Sequence, residues 1–383
     1  MPGPGLPGPG HPGRPARGDR GRAVTEAFGA RLRAAVAARG PLCVGIDPHA
    51  ALLRDWGLPD DPTGLERFAR AAVDAIAGEV AVVKPQSAFF ERFGSRGIAV
   101  LERVLADIRA AGALALLDVK RGDIGSTMAA YAAAYLDPAS PLAADAVTAS
   151  PYLGLGSLRP LFDAARAAGA GVFVLALTSN PEGGQVQRAV GPDGRTVAAG
   201  ILAGIGALNQ AELAGPAAMP APTAASGLPG GAGLPGGHVS RGGTARAGAA
   251  AGGGFGAGPW PDPAGDGAER GPGPAGGAAA VPAGGPQRDA EPLLGSVGAV
   301  IGATLADGPD PADLAALRGP ILAPGLGAQG GTVADLARLF GPVLPAVLPS
   351  ASREVLAHGP DPAALRAAVG RLAGELARLA VPR

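Results

Sequence analysis

The chain has 383 residues, and its 32 basic and 32 acidic side chains balance to a net charge of zero. A dedicated nucleic-acid binder usually carries a basic excess, so this balance argues against nucleic acid as a partner. The one cysteine, Cys43, excludes an internal disulfide framework and a zinc site built from several cysteines, and it fits a reducing cytoplasm.

The N-terminal segment carries no sign of export. Residues 1–21 consist mainly of Pro, Gly and Arg, and they lack the apolar stretch that a secretory signal requires. No uninterrupted apolar run elsewhere reaches the roughly 18 residues that are needed to cross a bilayer. We therefore expect a cytoplasmic protein without a membrane partner.

Glycine and proline, with 65 and 40 residues, are concentrated in two tracts. Residues 1–20 and 215–292 show neither helical nor strand periodicity, which predicts a disordered tail and a disordered low-complexity insertion. The remaining residues, 21–214 and 293–383, have the size of one (β/α)8 barrel and are predicted to form a single catalytic domain. The insertion then falls between the fifth helix and the sixth strand, on the face opposite the usual active site.

Within this domain, eight short apolar runs alternate with amphipathic segments. The runs are nearly continuous, as expected of strands that are buried on both faces, and residues 96–111 show near-helical spacing of apolar residues. Eight such units in succession favour a parallel (β/α)8 TIM barrel, with an open doubly wound sheet as the alternative. The predicted strands are 42–47, 80–84, 113–120, 146–149, 171–178, 297–304, 321–325 and 346–350.

Charged residues lie at or just after the carboxyl ends of several of these strands. In such a barrel the catalytic groups gather at the carboxyl ends of the strands, where Asp47, Lys84, Asp118, Lys120 and Asp123 are found. Side chains alternate faces along a strand, so Asp118 and Lys120 should point the same way. Carboxylates on both sides of an ammonium keep it protonated and fix its direction. The alternative is an ordinary ion-pair network at the mouth of the barrel.

A glycine-rich loop, residues 324–331, follows the seventh predicted strand. Barrels commonly hold phosphate after strands seven and eight. Glycines such as Gly330 let backbone N–H groups approach phosphate oxygens closely, and Gln329 can donate from its amide. Arg353, after the eighth strand, offers two parallel donors that suit a phosphate. These residues form the predicted phosphate site, and a plain turn is the alternative.

The segment Asp118-Val119-Lys120-Arg121-Gly122-Asp123-Ile124 resembles the D-x-K-x-x-D-I signature of orotidine 5′-monophosphate decarboxylases. Four further segments resemble the same family in the same order, and the one over 82–91 resembles its longer bacterial subgroup. Together they cover nearly the whole predicted barrel and leave out the tail and the insertion. The other segments are 43–48, 177–181 and 323–331.

The resemblance implies an enzyme that converts orotidine 5′-monophosphate to uridine 5′-monophosphate and CO2 in de novo pyrimidine biosynthesis, without a metal ion or an organic cofactor. Lys120 would protonate C6 of the pyrimidine, and Asp118 would lie against the substrate carboxylate. Lys84 would bind a ribose hydroxyl and pair with Asp118. Asp47 would bind the ribose hydroxyls or the edge of the sugar.

The resemblance also implies a second subunit. In this family, the aspartate that matches Asp123 and the threonine that matches Thr127 reach into the site of the neighbouring subunit. We therefore expect a homodimer with shared active sites. Ser179 would contact the edge of the pyrimidine, at O4 or N3.

Two other functions are weighed against this one. Related barrel decarboxylases or aldolases that act on phosphorylated keto-sugars share a similar Asp–Lys–Asp cluster and need Mg²⁺ to hold an enediolate. Sensitivity to EDTA would favour them. A non-catalytic phosphate-binding scaffold, whose insertion contacts other proteins, would bind a nucleotide without releasing CO2.

Overall fold

The computed structural model describes residues 26–215 and 294–379. The predicted tail and, apart from Gly215, the predicted insertion lie outside these ranges. Within the ranges, eight parallel strands form a closed barrel in chain order. The strands are β1 Cys43–Ile46, β2 Val82–Pro85, β3 Leu114–Arg121, β4 Ala146–Ala149, β5 Gly171–Leu177, β6 Val297–Ile301, β7 Ile321–Pro324 and β8 Val347–Ala351.

This architecture confirms the predicted (β/α)8 barrel. β1 pairs with β8, where Cys43 lies opposite Ser350, so the sheet closes and the open doubly wound alternative is wrong. All eight predicted strands are present; β4 has the predicted bounds, and the other seven differ only at their ends. β6, for example, stops at Ile301 because Ala303 and Thr304 already form a turn.

The helices of the described ranges lie mainly in the connections between strands. They are α1 Phe28–Arg39, α2 Ala50–Asp55, α3 Pro62–Ile76, α4 Ala88–Glu91, α5 Gly94–Ala110, α6 Gly125–Leu136, α7 Arg159–Ala168, α8 Gly184–Gln187, α9 Val197–Leu213, α10 Pro311–Leu317, α11 Val333–Phe340, α12 Arg353–Leu356 and α13 Pro362–Leu379. The predicted helix over 96–111 is α5. None of the helices in the described ranges is both long enough and apolar enough to cross a membrane.

Local sequence signals explain where such helices begin. At the start of α3, the Asp61 carboxylate accepts hydrogen bonds from the N–H groups of Thr63 and Gly64, both at 2.8 Å. Pro62 occupies the first helical position, where a missing N–H removes no intrahelical bond. The cap therefore fixes the beginning of the helix that packs beside α5.

Two hydrophobic clusters surround the strands. The larger one includes residues such as Leu117 of β3 and Phe68 of α3, and it joins the barrel to its helices. The smaller one fills the inside of the barrel, so the interior is a packed core rather than a channel. Its strand residues are Cys43, Val82, Leu116, Ala146, Phe173, Val300, Leu322 and Leu348.

Helix α1, which the sequence does not predict, seals the amino-terminal end of the barrel. Phe28 and Leu32 are 1% and 2% exposed and belong to the inner cluster. The Phe28 ring packs edge-on against Phe173, with centroids 6.0 Å apart. A β-carbon at Gly171 would lie only 2.3 Å from the Phe28 ring, so glycine makes room for this seal.

Phe28→Ala is expected to lower the free energy of unfolding by about 3–5 kcal/mol, because it leaves a cavity in the inner cluster. Urea unfolding at neutral pH measures this loss. Ala37→Ser, at an exposed position of the same helix, should change the free energy by less than about 0.5 kcal/mol and serves as the control. A loss below about 1 kcal/mol for Phe28→Ala would contradict the role of α1 as part of the core.

Candidate active site

A cavity of about 400 Å³ opens at the carboxyl-terminal end of the barrel. Leu175, Val300 and Leu322 form its apolar floor, which is continuous with the inner cluster. The polar walls come from the ends of β1 to β4 and from the segments after β7 and β8. The polar lining residues are Asp47, His49, Lys84, Gln86, Asp118, Lys120, Thr148, Gln329, Ser350, Ser352 and Arg353.

Asp118 joins two ammonium groups in this cavity. Lys84 Nζ donates to Asp118 Oδ2 at 2.9 Å, and Lys120 Nζ donates to Oδ1 at 2.6 Å. Lys84 comes from β2, whereas the other two residues come from β3. The structure thus brings together, from two neighbouring strands, three of the residues that the sequence predicts as a cluster.

Lys84 and Lys120 are the only lysines in the whole chain, and arginine is used everywhere else that the sequence has one of these two basic residues. An arginine at either position would keep the positive charge, but a guanidinium does not release its proton in proteins. The chain therefore uses lysine only where both ammonium groups contact one carboxylate.

Burial and the neighbouring charges shift the pKa values of Lys84 and Asp118 in opposite directions. Lys84 and Asp118 are each 5% exposed. Burial lowers the pKa of Lys84, but the charges of Asp118 and Asp47 outweigh it and hold that pKa above its usual range. Burial raises the pKa of Asp118, but Lys84 and Lys120 together hold that pKa well below its usual range. At neutral pH, Asp118 is therefore a carboxylate and Lys84 an ammonium.

Lys120 reaches Asp118 through an unusual backbone conformation. Its φ is +47°, in the left-handed region that residues other than glycine rarely adopt. The ladder between β3 and β4 is irregular here, since Leu117 pairs with Val147 and Arg121 with Ala149. Simple strand alternation predicts that Asp118 and Lys120 meet, and they do, but through a bulge rather than along a regular strand.

Thr148 of β4 is a site residue that the sequence does not predict. It is 1% exposed, and its hydroxyl donates to Asp118 Oδ1 at 2.7 Å. The Thr148 hydroxyl oxygen in turn accepts a hydrogen bond from the Lys120 backbone N–H at 2.9 Å. A threonine within an apolar strand is an ordinary β-branched residue, so the sequence contains no signal that marks it.

Asp47, His49 and Gln86 complete the walls next to this array. Asp47 Oδ1 is buried and has no hydrogen-bond partner among the described residues, so it can accept a donor from a bound molecule. The His49 ring packs edge-on against Phe89, with centroids 4.3 Å apart. Gln86 Oε1 lies 3.4 Å from Lys120 Nζ. His49 and Gln86 are not among the site residues that the sequence predicts.

The loop after β7 supplies another wall. Gly325, Gly327 and Gly330 have φ values of 113°, 75° and 94°, which residues with a β-carbon rarely adopt. Gly325 and Gln329 line the cavity together with Arg353, whereas Gly330 does not. An amide and a guanidinium thus lie at the edge of the cavity, where they could bind an oxyanion.

Three other predicted site residues do not line this cavity. The Asp123 carboxylate accepts a hydrogen bond from the N–H of Ile124 at 2.8 Å. Thr127 is exposed on α6, and Ser179 is exposed in the loop after β5. A single chain therefore leaves all three side chains outside its own cavity.

Comparison with known proteins identifies the family. Residues 40–225 match the model of the orotidine 5′-phosphate decarboxylase / HUMPS family. An orotidine 5′-phosphate decarboxylase from Salinispora arenicola is 52% identical over 347 residues, which cover 91% of this chain and 96% of that protein. The chain belongs to the orotidine 5′-phosphate decarboxylase family. A member from Streptomyces coelicolor is 50% identical and covers 92% of this chain and 97% of its own length.

Solved structures agree with this family assignment. A candidate orotidine 5′-phosphate decarboxylase from Streptomyces avermitilis is 48% identical, has a TM-score of 0.68, and covers 92% of this chain and 96% of its own. The Leishmania donovani OMP decarboxylase, at 24% identity and a TM-score of 0.57, shares the fold and covers 92% and 98% of the two chains. The family predicted from the sequence is confirmed, and a match over 347 residues agrees with its longer bacterial form.

Asp118→Asn is expected to lower the free energy of unfolding by about 3–5 kcal/mol at neutral pH, because Lys84 stays buried without its main counter-charge. The pKa of Asp118 in the folded chain is below its unfolded value of about 3.9. Its stabilisation is therefore present above that pH and is lost as the pH falls through the folded-state pKa. The difference between wild type and variant, measured by urea unfolding, should shrink from about pH 5 to pH 2.

Asp163→Asn is a suitable control for this measurement. Asp163 pairs with Arg159 on the surface, where the two side chains are 52% and 59% exposed. Exposed ion pairs contribute little to stability, so this variant should unfold like the wild type at every pH tested. Equal stability of Asp118→Asn and wild type would rule out Asp118 as the counter-charge of Lys84.

Proposed function

We propose that the cavity binds orotidine 5′-monophosphate and that Lys120 protonates C6 as CO2 departs, which yields uridine 5′-monophosphate. Decarboxylation of this nucleotide is the activity of the family and places the chain in pyrimidine biosynthesis. One observation carries the assignment of roles: Lys120 Nζ lies 2.6 Å from the buried Asp118 carboxylate, in the cavity that Gln329 also lines.

The reaction breaks the bond between C6 and the carboxylate carbon. The electron pair stays on C6, in an orbital that the pyrimidine ring cannot delocalise well, and the carboxylate leaves as neutral CO2. An ammonium against C6 stabilises the developing negative charge and then supplies the proton. The Lys120 side chain is 43% exposed and that of Lys84 only 6%, so Lys120 is the more accessible donor.

Asp118 has two roles in this proposal. It holds the Lys120 ammonium, and it lies where the substrate carboxylate would come. Two negative groups at close range raise the free energy of the bound substrate, and the repulsion ends when CO2 becomes neutral. Because Lys84 and Lys120 hold the pKa of Asp118 well below its usual range, the cavity presents a carboxylate and not a neutral acid to the incoming substrate at neutral pH.

The other walls suit the rest of the nucleotide. Gln329, Arg353 and the backbone of Gly330 would bind the phosphate, and Asp47 and Lys84 would bind the ribose. Binding energy from the phosphate, which is remote from C6, can be used to hold the pyrimidine against the ammonium. The loop after β5 would bring Ser179 to the edge of the pyrimidine.

We also propose a homodimer with shared active sites, in which Asp123 and Thr127 complete the cavity of the neighbouring subunit. Ile124 follows β3, and Tyr152 and Leu153 follow the adjacent β4; they are 61%, 78% and 52% exposed. Exposed apolar side chains in one region commonly mark an interface between proteins. Burial of this region against a second copy would bring Asp123 and Thr127, which lie outside their own cavity, against the neighbouring subunit.

The direct test measures the ultraviolet absorbance of orotidine 5′-monophosphate with the purified full-length chain. We expect loss of absorbance with release of CO2 and no effect of EDTA. Loss of activity with EDTA would instead favour the magnesium-dependent enzymes of phosphorylated keto-sugars. Binding of the nucleotide without release of CO2 would favour a phosphate-binding scaffold.

Lys120→Ala is expected to lower kcat by at least about 100-fold, since general acid catalysis typically contributes that much. Lys120→Arg keeps a charge that does not release its proton, so it should be similarly inactive. Both variants should still bind uridine 5′-monophosphate in calorimetry, because the phosphate site is intact. If Lys120→Ala kept more than about a tenth of wild-type turnover, Lys120 would not be the general acid.

If the active sites are shared, Lys120→Ala and Asp123→Ala should each be inactive alone and should restore activity when the two chains are combined. In a hybrid dimer of Lys120→Ala and Asp123→Ala, one site contains both native residues and the other contains neither. Coexpression with random assembly should therefore give roughly a quarter of wild-type activity in a symmetric dimer. Sedimentation confirms that each variant dimerises. Hybrids that remain inactive would contradict the sharing of sites.

A further inference from the structure

We propose that Thr148 is a positioning residue for the proton donor, because its hydroxyl fixes the Lys120 backbone and the Asp118 carboxylate together. This inference rests on the proposed function, since it gives Thr148 a part in the same reaction. Three features carry it: the irregular strand ladder, the double hydrogen bond of the hydroxyl, and the strained backbone of Lys120.

The irregular ladder leaves a backbone group that needs a partner. Residues 118–120 of β3 face Thr148 alone on β4, so the N–H groups of this stretch cannot all find carbonyl partners on that strand. The N–H of Lys120 donates instead to the Thr148 hydroxyl at 2.9 Å. This hydrogen bond is partly buried, and a backbone N–H left without a partner there is costly, so the hydroxyl stabilises the bulge.

The same hydroxyl orients the carboxylate. It donates its single hydrogen to Asp118 Oδ1 at 2.7 Å, and Oδ1 also accepts the Lys120 ammonium at 2.6 Å. A hydroxyl has one hydrogen and two lone pairs, so it can accept from a backbone N–H and donate to a carboxylate at once. Valine, which has nearly the same shape, can do neither.

Lys120 needs such a contact because its backbone is strained. A φ of +47° is unfavourable for a residue with a β-carbon and persists only where the surroundings hold it. Thr148 holds the main chain of Lys120 directly and its ammonium through Asp118. The other polar contact of the ammonium, with Gln86 at 3.4 Å, is near the outer limit of a hydrogen bond.

Two substitutions distinguish the effect of the Thr148 hydroxyl on kcat from the effect of the side-chain shape. Thr148→Val keeps the shape and removes the hydroxyl, whereas Thr148→Ser keeps the hydroxyl and removes the methyl group. We expect kcat of Thr148→Val to fall about 100-fold, because a misplacement on the order of 1 Å costs about that factor. KM should stay within about threefold, and Thr148→Ser should keep kcat within about threefold of the wild type.

Ser140 provides a matched control in the loop before β4. Its hydroxyl also has a double role: it accepts the N–H of Leu142 at 3.2 Å and donates to the carbonyl of Ala134 at 2.5 Å. It lies at the amino-terminal end of the barrel, away from the cavity. Ser140→Ala should therefore lower Tm while kcat stays unchanged, which is the result expected of a purely structural hydroxyl.

The outcomes distinguish this inference from the proposed function. A wild-type chain that releases no CO2 from orotidine 5′-monophosphate overturns the proposed function. An active wild type with wild-type kcat in Thr148→Val, or with a change in KM alone, overturns the role of Thr148 and leaves the function intact. If Thr148→Val does not fold, Thr148→Cys replaces it. A thiol bonds weakly, so its kcat should lie at least about tenfold below that of Thr148→Ser, and equal values would overturn the inference.

Discussion

The carboxylate of Asp118 is the group on which the rest of the site depends. Two ammonium groups and one hydroxyl donate to its oxygens, at distances from 2.6 to 2.9 Å. A carboxylate that is 5% exposed would be unstable in the fold without such donors. Because the donors come from β2, β3 and β4, the array forms only when three neighbouring strands keep their relative register. The chemistry of the cavity is therefore tied directly to the pairing of the barrel.

The two ends of the barrel are built differently, and the packed amino-terminal end keeps the strands in register. At the amino-terminal end, α1 inserts Phe28 against Phe173, and the inner cluster fills the space between the strands. At the carboxyl-terminal end, the β3–β4 ladder becomes irregular and the polar groups meet. The packed end can stabilise the fold without touching a ligand, and the open end can tolerate the strain at Lys120. The apolar packing of the inner cluster and the polar groups of the cavity are thus separated along the strand axis.

The parts of the fold that could be predicted are those with local signals. Near-continuous apolar runs mark strands buried on both faces, and Lys84 and Asp118 stand at or near the ends of such runs. The φ of Lys120 and the role of Thr148 arise from pairing between separate segments, which spacing within one segment does not encode. Helix α1 is not predicted because its alanine-rich sequence carries few large apolar residues, chiefly Phe28 and Leu32. The roles of Asp123, Thr127 and Ser179 stay predictions, since their side chains lie outside the cavity of a single chain.

Lys84 and Lys120 make the array directly observable by nuclear magnetic resonance. They are the only lysines in the 383-residue chain, so a lysine-specific isotope label gives side-chain signals from the cavity and from nowhere else. The Lys84 side chain is 6% exposed and the Lys120 side chain 43% exposed. The protons of the two amines should therefore exchange with solvent at different rates, which distinguishes the two signals. Occupancy of the cavity and the state of each amine could then be followed separately in the intact protein.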